Sequence, residues 1–315
     1  MAPPPSGPTV VVFAYSLVGY EALAVTLDAG WDVRLVVTHE DSPGETIWFP
    51  SVAELARERS LPVATPIGAK DPALAAELRR ISPDFLLSFY FRWMLPATIL
   101  STARRGAFNL HGSLLPDYRG KASIHWQILR GESRGGVTLH RMVERADAGG
   151  IVAQKTLAIG SDEEALEVTR RVARVGAELL RETLPLLAAG TIEERPMDLV
   201  SGFYLGGRKP EDGRIDWTRS AREVHNLVRA VTHPFPGAFT TFEGQKLFVW
   251  KSRVVEEETP MPLPGRIINR SPLVVSCGRG ALEIVASQIE GGVETSGVAP
   301  AIDQFQLEDS CPRQA

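Results

Sequence analysis

The chain has 315 residues, 44% of them hydrophobic and 23% charged, with a formal net charge of −4. That is ordinary globular composition, enough for a sizeable core in two domains or one large one. The acidic balance argues against a non-specific nucleic-acid binder, which relies on Lys and Arg to neutralise phosphates, and no apolar run approaches the ~18–20 residues of a membrane span.

The opening "MAPPPSGP" has neither the basic region nor the apolar core of a signal peptide, and residues 1–8 read as a disordered leader. "TVVVFAYS" (Thr9–Ser16) is a continuous β-branched and aromatic run, the signature of a buried parallel strand. A helix follows over Tyr20–Asp28, then a second strand over Trp31–His39. Ser51 with Glu54 three residues later predicts a capped helix. "LPVATP" reads as a third strand. Asp71 followed by Pro72 marks the next helix start. Asp84–Phe91 and "AFNLHG" read as strands four and five. This alternation predicts an α/β fold, a doubly wound and mostly parallel Rossmann-like sheet.

Beyond Gly120, Ser123–Gly131 reads as a helix, and Gly135–Val143 and Gly150–Ile159 as strands. Ser161 and Glu164 read as a capping box for a long helix with Val168, Val172, Val175 and Leu179 on one face. Pro185 is expected to kink or end it. A Gly/Pro-rich stretch from Gly190 then marks a boundary. Past it, Ser220–Val231 is a capped helix, and "AFTTFEG", "KLFVWKSRV", "GRIINR", "PLVVSCG" and "ALEIVASQIEG" are short strands of a small OB-like β-barrel. The expected division is 9–202, 203–302 and a flexible tail, 303–315. Cys277 and Cys311 lie far apart and suit free thiols in a reducing cytoplasm.

The segment after the first strand, "AYSLVGYEA", lacks G-x-G-x-x-G, and no P-loop, H-E-x-x-H or Cys pair is present. Nicotinamide, flavin, ATP and zinc mechanisms lose their support. The densest stretch is "FNLHGSLLPDYRG" (Phe108–Gly120). Asn109 and His111 are i, i+2, so in a strand they share a face. They sit at the C-terminal end of a parallel strand, where open α/β sheets bind ligands. An amide N–H stabilises an oxyanion, and an imidazole moves protons at neutral pH. A carboxylate would complete the set, and Asp147, Asp117 and Glu144 all compete for that place. His39, His125, His140, His225 and His233 read as ordinary imidazoles, and Ser113 as a loop-forming hydroxyl.

"FNLHGSLLPDYRG" followed by "GVTLHRMVERADAGGIVAQ" resembles the N10-formyltetrahydrofolate-dependent formyltransferase family. "GRKPEDGRIDW" and "VHNLVRAVTHPFPGAF" resemble its C-terminal module, so the likeness runs from about Val10 to Ile289. It implies an enzyme that formylates an amine from 10-formyltetrahydrofolate without a metal. It assigns Asn109 to the oxyanion, His111 to proton transfer and Asp147 to tuning that imidazole. It implies that Trp93, Met94 and Leu95 line the folate pocket, with Lys121, Val143, Glu144, Arg145 and Ala146 as further contacts. Lys121 stands where the family usually has Arg, and Ser123, Ile124 and His125 depart from its usual loop start.

Within the family, methionyl-tRNA formyltransferases carry a basic loop after the second strand. Here that loop is "HEDSPGETIWFPS", with Glu40, Asp41 and Glu45 and neither Lys nor Arg. This loop, "FAYS" and "SFYFRWML" look closer to the branch that formylates UDP-4-amino-4-deoxy-L-arabinose in lipid A modification, here without the decarboxylase domain often fused to it. That implies a cytoplasmic protein acting on a soluble sugar nucleotide, not on nucleic acid or membrane. Arg208, in "GGRKPEDG", is the candidate for the substrate diphosphate. A 10-formyltetrahydrofolate hydrolase relative is the reading from another class.

Overall fold

The computed structural model describes residues 7–41, 44, 46–242 and 244–296. Most of the expected leader, the expected tail, Glu45 and Cys311 lie outside the described residues. The chain forms two compact units. One runs through Ser123 and takes in Arg134–Ala158 and Thr169–Gly206; the other comprises Ile124–Ser133, Ile159–Val168 and the chain from Gly207 on.

In the first unit, β1 (Thr9–Ala14) enters the core at once, with Val10 to Ala14 fully buried. Helix α1 spans Ser16–Asp28, four residues earlier than its sequence pattern predicts. The early turn is hidden because Tyr15, a residue with no side-chain cap, occupies the N-cap. β2 (Asp32–Val37), α2 (Val52–Glu58), β3 (Val63–Ala64) and α3 (Pro72–Ile81) follow. Both expected caps are present: Ser51 Oγ accepts the Glu54 N–H at 3.2 Å, and Asp71 Oδ1 accepts that of Ala73 at 2.9 Å. Then come β4 (Phe85–Phe89), α4 (Ala97–Leu100), β5 (Gly106–His111), the two-residue β6 (Arg119–Gly120), α5 (Ser123–Leu129), which from Ile124 on belongs to the second unit, β7 (Arg134–Arg141), β8 (Ile151–Ala158), α6 (Ala165–Ala189), which belongs to the first unit from Thr169 on, and β9 (Tyr204–Leu205).

The main sheet has seven strands in the order β3-β2-β1-β4-β5-β7-β8. The first five run parallel; β7 and β8 run antiparallel. Strand order reverses at β1, with β2 on one side and β4 on the other. β6 pairs with β9 in a separate two-stranded ribbon, tied further by the Arg119 N–H to Phe203 O and the Lys121 N–H to Leu205 O.

Helix α6 starts at Ala165, so Ser161 and Glu164 are not its capping box. The Ser161 hydroxyl bonds Asp162, and the Glu163 carboxylate takes the Gly160 N–H, which holds this stretch as a turn. The helix runs on through Pro185 to Ala189. Within the first unit its Gly176 lies against Leu110 of β5, so close that a Cβ there would meet Leu110 Cδ2 at 2.9 Å. Leu110 and Phe108 therefore face buried packing, and Asn109 and His111 take the opposite face by strand alternation.

The second unit carries α7 (Ala221–Val231), whose capping box joins Ser220 and Glu223 as its sequence predicts. Its sheet is antiparallel, with the path β10 (Ala238–Phe242), β11 (Gln245–Pro260), β14 (Arg279–Ile289), β13 (Leu273–Ser276) and β12 (Ile267–Arg270), and β15 (Thr295–Ser296) beside β14. His125 is half-buried in this unit, where its Nδ1–H donates to Ala230 O at 2.7 Å. Burial pushes the imidazole down to about 4; the Ala230 carbonyl opposes that shift and the Arg208 charge adds to it. The unfolded chain takes up this proton near pH 6.5, the folded protein only near 4. Stability is therefore lost as pH falls through that window, by about 3 kcal/mol. His125→Gln is expected to flatten the slope in urea unfolding followed between about pH 7 and 4. Equal slopes in both proteins would show that another group titrates.

Candidate active site

The C-terminal end of β5 brings three of the expected side chains together. Asn109 and His111 share one face, and their cross-strand partners on β7 are His140 and Thr138. Asp147 comes from the tight turn between β7 and β8, at φ 45°. Asp tolerates this left-handed conformation better than most residues. Its carboxylate points back to β5: Oδ2 lies 3.7 Å from His111 Nδ1, and Oδ1 lies 3.5 Å from Asn109 Nδ2. Asp117 and Glu144, the competing carboxylates, are both exposed.

Gly120 supplies the fixed point. Its N–H donates to Asp147 Oδ2 at 2.8 Å. It adopts φ 101°, and a Cβ there would meet Leu205 O at 2.2 Å, so only glycine fits. Burial alone would raise the Asp147 pKa. The charges of His111 and His140, the His140 contact and the Gly120 N–H outweigh it and hold the carboxyl well below the usual carboxylate range. Asp147 is therefore an anion throughout the neutral range.

The hydrogen bonds also assign the imidazole nitrogens. A backbone carbonyl only accepts, so His111 Nε2 carries hydrogen and donates to Tyr118 O at 2.8 Å. Nδ1, the nitrogen facing Asp147, is left as the one able to accept a proton. At 3.7 Å Asp147 is beyond hydrogen-bond length and acts on His111 through its charge.

His140, expected to be an ordinary imidazole, belongs to this cluster. It is 1% exposed. Its Nδ1–H donates to Arg141 O at 2.9 Å. Its Nε2 lies 3.1 Å from Asn109 Nδ2 and 3.3 Å from Asp147 Oδ1. Neutral, Nε2 accepts from Asn109; protonated, it donates to Asp147. Either way it fixes the amide and the carboxylate. The signal was in the sequence: Thr138 and His140 alternate with apolar Val137 and Leu139 as Asn109 and His111 do with Phe108 and Leu110.

The other expected residues are more dispersed. Trp93 is partly buried, edge-on to His39 at 4.5 Å between ring centres. Met94 is exposed, while Leu95 packs into the core beside Phe13 and Ile99. Lys121, Val143, Glu144 and Arg145 are exposed, and Ala146 is partly buried beside Asp147 in the chain. Ser113 is a loop residue, its hydroxyl donating to Asp117 O at 2.6 Å. Ser123 holds the same loop through Gly112 O at 3.1 Å. Arg208 belongs to the second unit, where its Nη2 donates to Asp212 O at 2.8 Å and its guanidinium lies 5.0 Å over the Trp126 ring.

Residues 10–184 match the family model described as formyl transferase, and residues 208–301 match that of the formyl transferase C-terminal domain. Among solved structures, an N-formyltransferase from Helicobacter canadensis, in complex with folinic acid and dTDP-3-aminofucose, is 19% identical over 87% of this chain and 98% of its own, with a TM-score of 0.67. A sugar 3N-formyl transferase solved with dTDP and 5-N-formyl-THF is 18% identical over 91% of this chain and 99% of its own, with a TM-score of 0.69. HypX from Aquifex aeolicus, in complex with tetrahydrofolic acid, is 18% identical over 96% of this chain and 51% of its own, with a TM-score of 0.64. At these identities the likeness is one of fold.

Proposed function

Because this chain belongs to the formyl transferase family, we propose that it passes the formyl group of 10-formyltetrahydrofolate to the amine of a sugar nucleotide, UDP-4-amino-4-deoxy-L-arabinose. The observation that carries the chemistry is the meeting of Asn109, His111 and ionised Asp147 at the end of β5. The neutral amine attacks the formyl carbon, and the carbonyl oxygen becomes an oxyanion. An Asn109 N–H stabilises that charge. His111 Nδ1 takes the proton from the attacking nitrogen, and the nearby Asp147 anion favours the imidazolium so formed. The proton then passes to the departing folate nitrogen as the carbon–nitrogen bond breaks. The products are the formamide and tetrahydrofolate.

Trp93, Met94, Leu95, Lys121 and the run Val143–Ala146 are the proposed folate contacts, and Arg208 the proposed diphosphate contact. Leu95 would act through the packing of the wall, since it is buried in the core. The ligands of the solved relatives, a folate with dTDP or dTDP-3-aminofucose, support this class of substrates. Charge supports it too. In the described part of the segment after β2, Glu40 and Asp41 are balanced by Arg57, which lines a cavity with them, and by Arg92, whose guanidinium lies 4.2 Å over the Tyr15 ring. That leaves no cationic surplus for a tRNA backbone. No helix among the described residues is long and apolar enough to cross a membrane, in keeping with a reaction in the cytoplasm that feeds lipid A modification.

The test is turnover. Protein, 10-formyltetrahydrofolate and UDP-4-amino-4-deoxy-L-arabinose are expected to yield tetrahydrofolate and sugar formamide in equal amounts. Formylation of methionyl-tRNA but not of the sugar would overturn the acceptor. Tetrahydrofolate release with no amine present would favour a hydrolase.

A further inference from the structure

The segment that links β4 to α4, residues 90–96, forms neither helix nor strand. It carries Trp93, Met94 and Leu95, the wall proposed for the folate. Both of its ends are anchored within the first unit. Tyr90 lies against Gly112, next to His111: a Cβ on that glycine would meet the Tyr90 hydroxyl at 2.0 Å. Leu95 is buried in the core. Between these anchors the main chain has no strand or helix ladder to join, so its polar groups must find partners in side chains, water or ligand.

His39, just past the end of β2, supplies one such partner. Its side chain is half-buried. Its Nε2 lies 3.0 Å from the Arg92 backbone nitrogen. A backbone N–H only donates, so Nε2 accepts and carries no hydrogen. The same ring stacks on Phe91, with centres 4.1 Å apart and planes at 21°. It meets the Trp93 ring edge-on at 4.5 Å. On its other side it is backed by Tyr15, edge-on at 5.5 Å, over whose ring the Arg92 guanidinium lies at 4.2 Å. One imidazole therefore touches three successive residues, two through their rings and the middle one through its main chain. Phenylalanine would stack there without accepting, and glutamine would accept without stacking. A histidine that merely satisfies itself needs one partner, not contacts with a run of three.

We propose that His39 is a positioning residue for folate binding: as a neutral imidazole it fixes the Arg92 main chain and the Trp93 ring, and so holds the folate wall in place before the ligand arrives. A wall already formed spares binding the cost of ordering it. The assignment rests on the reading of Trp93, Met94 and Leu95 as folate contacts.

Calorimetric titration with 5-formyltetrahydrofolate tests it without turnover, on proteins first checked for native circular dichroism. His39→Phe keeps the stack and removes the acceptor of the Arg92 N–H. It is expected to bind this folate about tenfold more weakly than wild type. His39→Gln returns an acceptor and is expected to come back to within about threefold of wild type. Trp93→Ala removes part of the wall itself and is expected to weaken binding about tenfold or more. In turnover, the His39→Phe loss should fall on the KM for 10-formyltetrahydrofolate, with kcat within about threefold. Wild-type affinity in His39→Phe overturns the positioning role alone. So does equal weakening in the Phe and Gln variants, or a loss that falls on kcat. Wild-type affinity in Trp93→Ala overturns the folate wall and the positioning role together.

Discussion

The His111→Ala enzyme is expected to turn over about 10² to 10⁴ times more slowly than wild type, the range that general acid–base catalysis contributes. The loss should fall on kcat. His111 Nε2 is held by Tyr118 O, so the side chain is fixed and only Nδ1 exchanges a proton. Alanine leaves the amine no nearby base and the folate nitrogen no relay. Folate binding should change little, since the residues proposed to contact it are elsewhere. Steady-state kinetics with both substrates varied, followed across pH, makes the check. The wild-type limb due to an imidazole should vanish in the variant. A near-normal kcat would remove His111 from the mechanism.

Asp147→Asn is expected to cost kcat a similar 10²-fold or more, with the fold retained. The substitution keeps shape and removes the charge that favours the His111 imidazolium. It also relieves the burial of an anion, so loss of activity need not accompany loss of structure. A pH signature separates the two. The folded pKa of Asp147 is depressed. Its stabilising contribution is therefore complete above the unfolded carboxylate value of ~3.9 and is lost as pH falls from there through the folded pKa. Urea unfolding should show wild-type stability falling below about pH 4, and a shallower fall in Asp147→Asn. Equal activity in the two proteins would end the proposed charge role. An unchanged acid slope would mean that Asp147 is not the anion described.

The parallel half of the sheet was legible because buried strands are written as unbroken apolar runs, as in "TVVVFA". Asn109 and His111 stood out for the converse reason, as polar residues interrupting such a run on one face. Their exposed rivals show why the carboxylate was harder. Asp117, Glu144 and Asp147 are equally polar on the page, and only the turn at Asp147 aims a side chain at β5. For His140 the alternation with Val137 and Leu139 marks a polar strand face, but which strand that face joins is known only from the antiparallel pairing of β7 with β5. Helix boundaries at Ser16 and Ala165 escaped for local reasons. The first has no polar cap, and before the second the Ser161 hydroxyl bonds Asp162 instead of capping the helix.

The β6–β9 ribbon has a consequence for when the site exists. Gly120, which holds Asp147, is itself held by Leu205, more than eighty residues further along the chain. The site thus joins segments near residues 110, 120, 147 and 205, and closing loops of such length is slow. A nascent chain that has formed β1 to β5 already has Asn109 and His111 in place. It lacks the brace on the carboxylate until the segment after α6 has docked. Catalytic competence is then one of the last properties the first unit acquires, and partly folded chains would be spared unproductive folate chemistry.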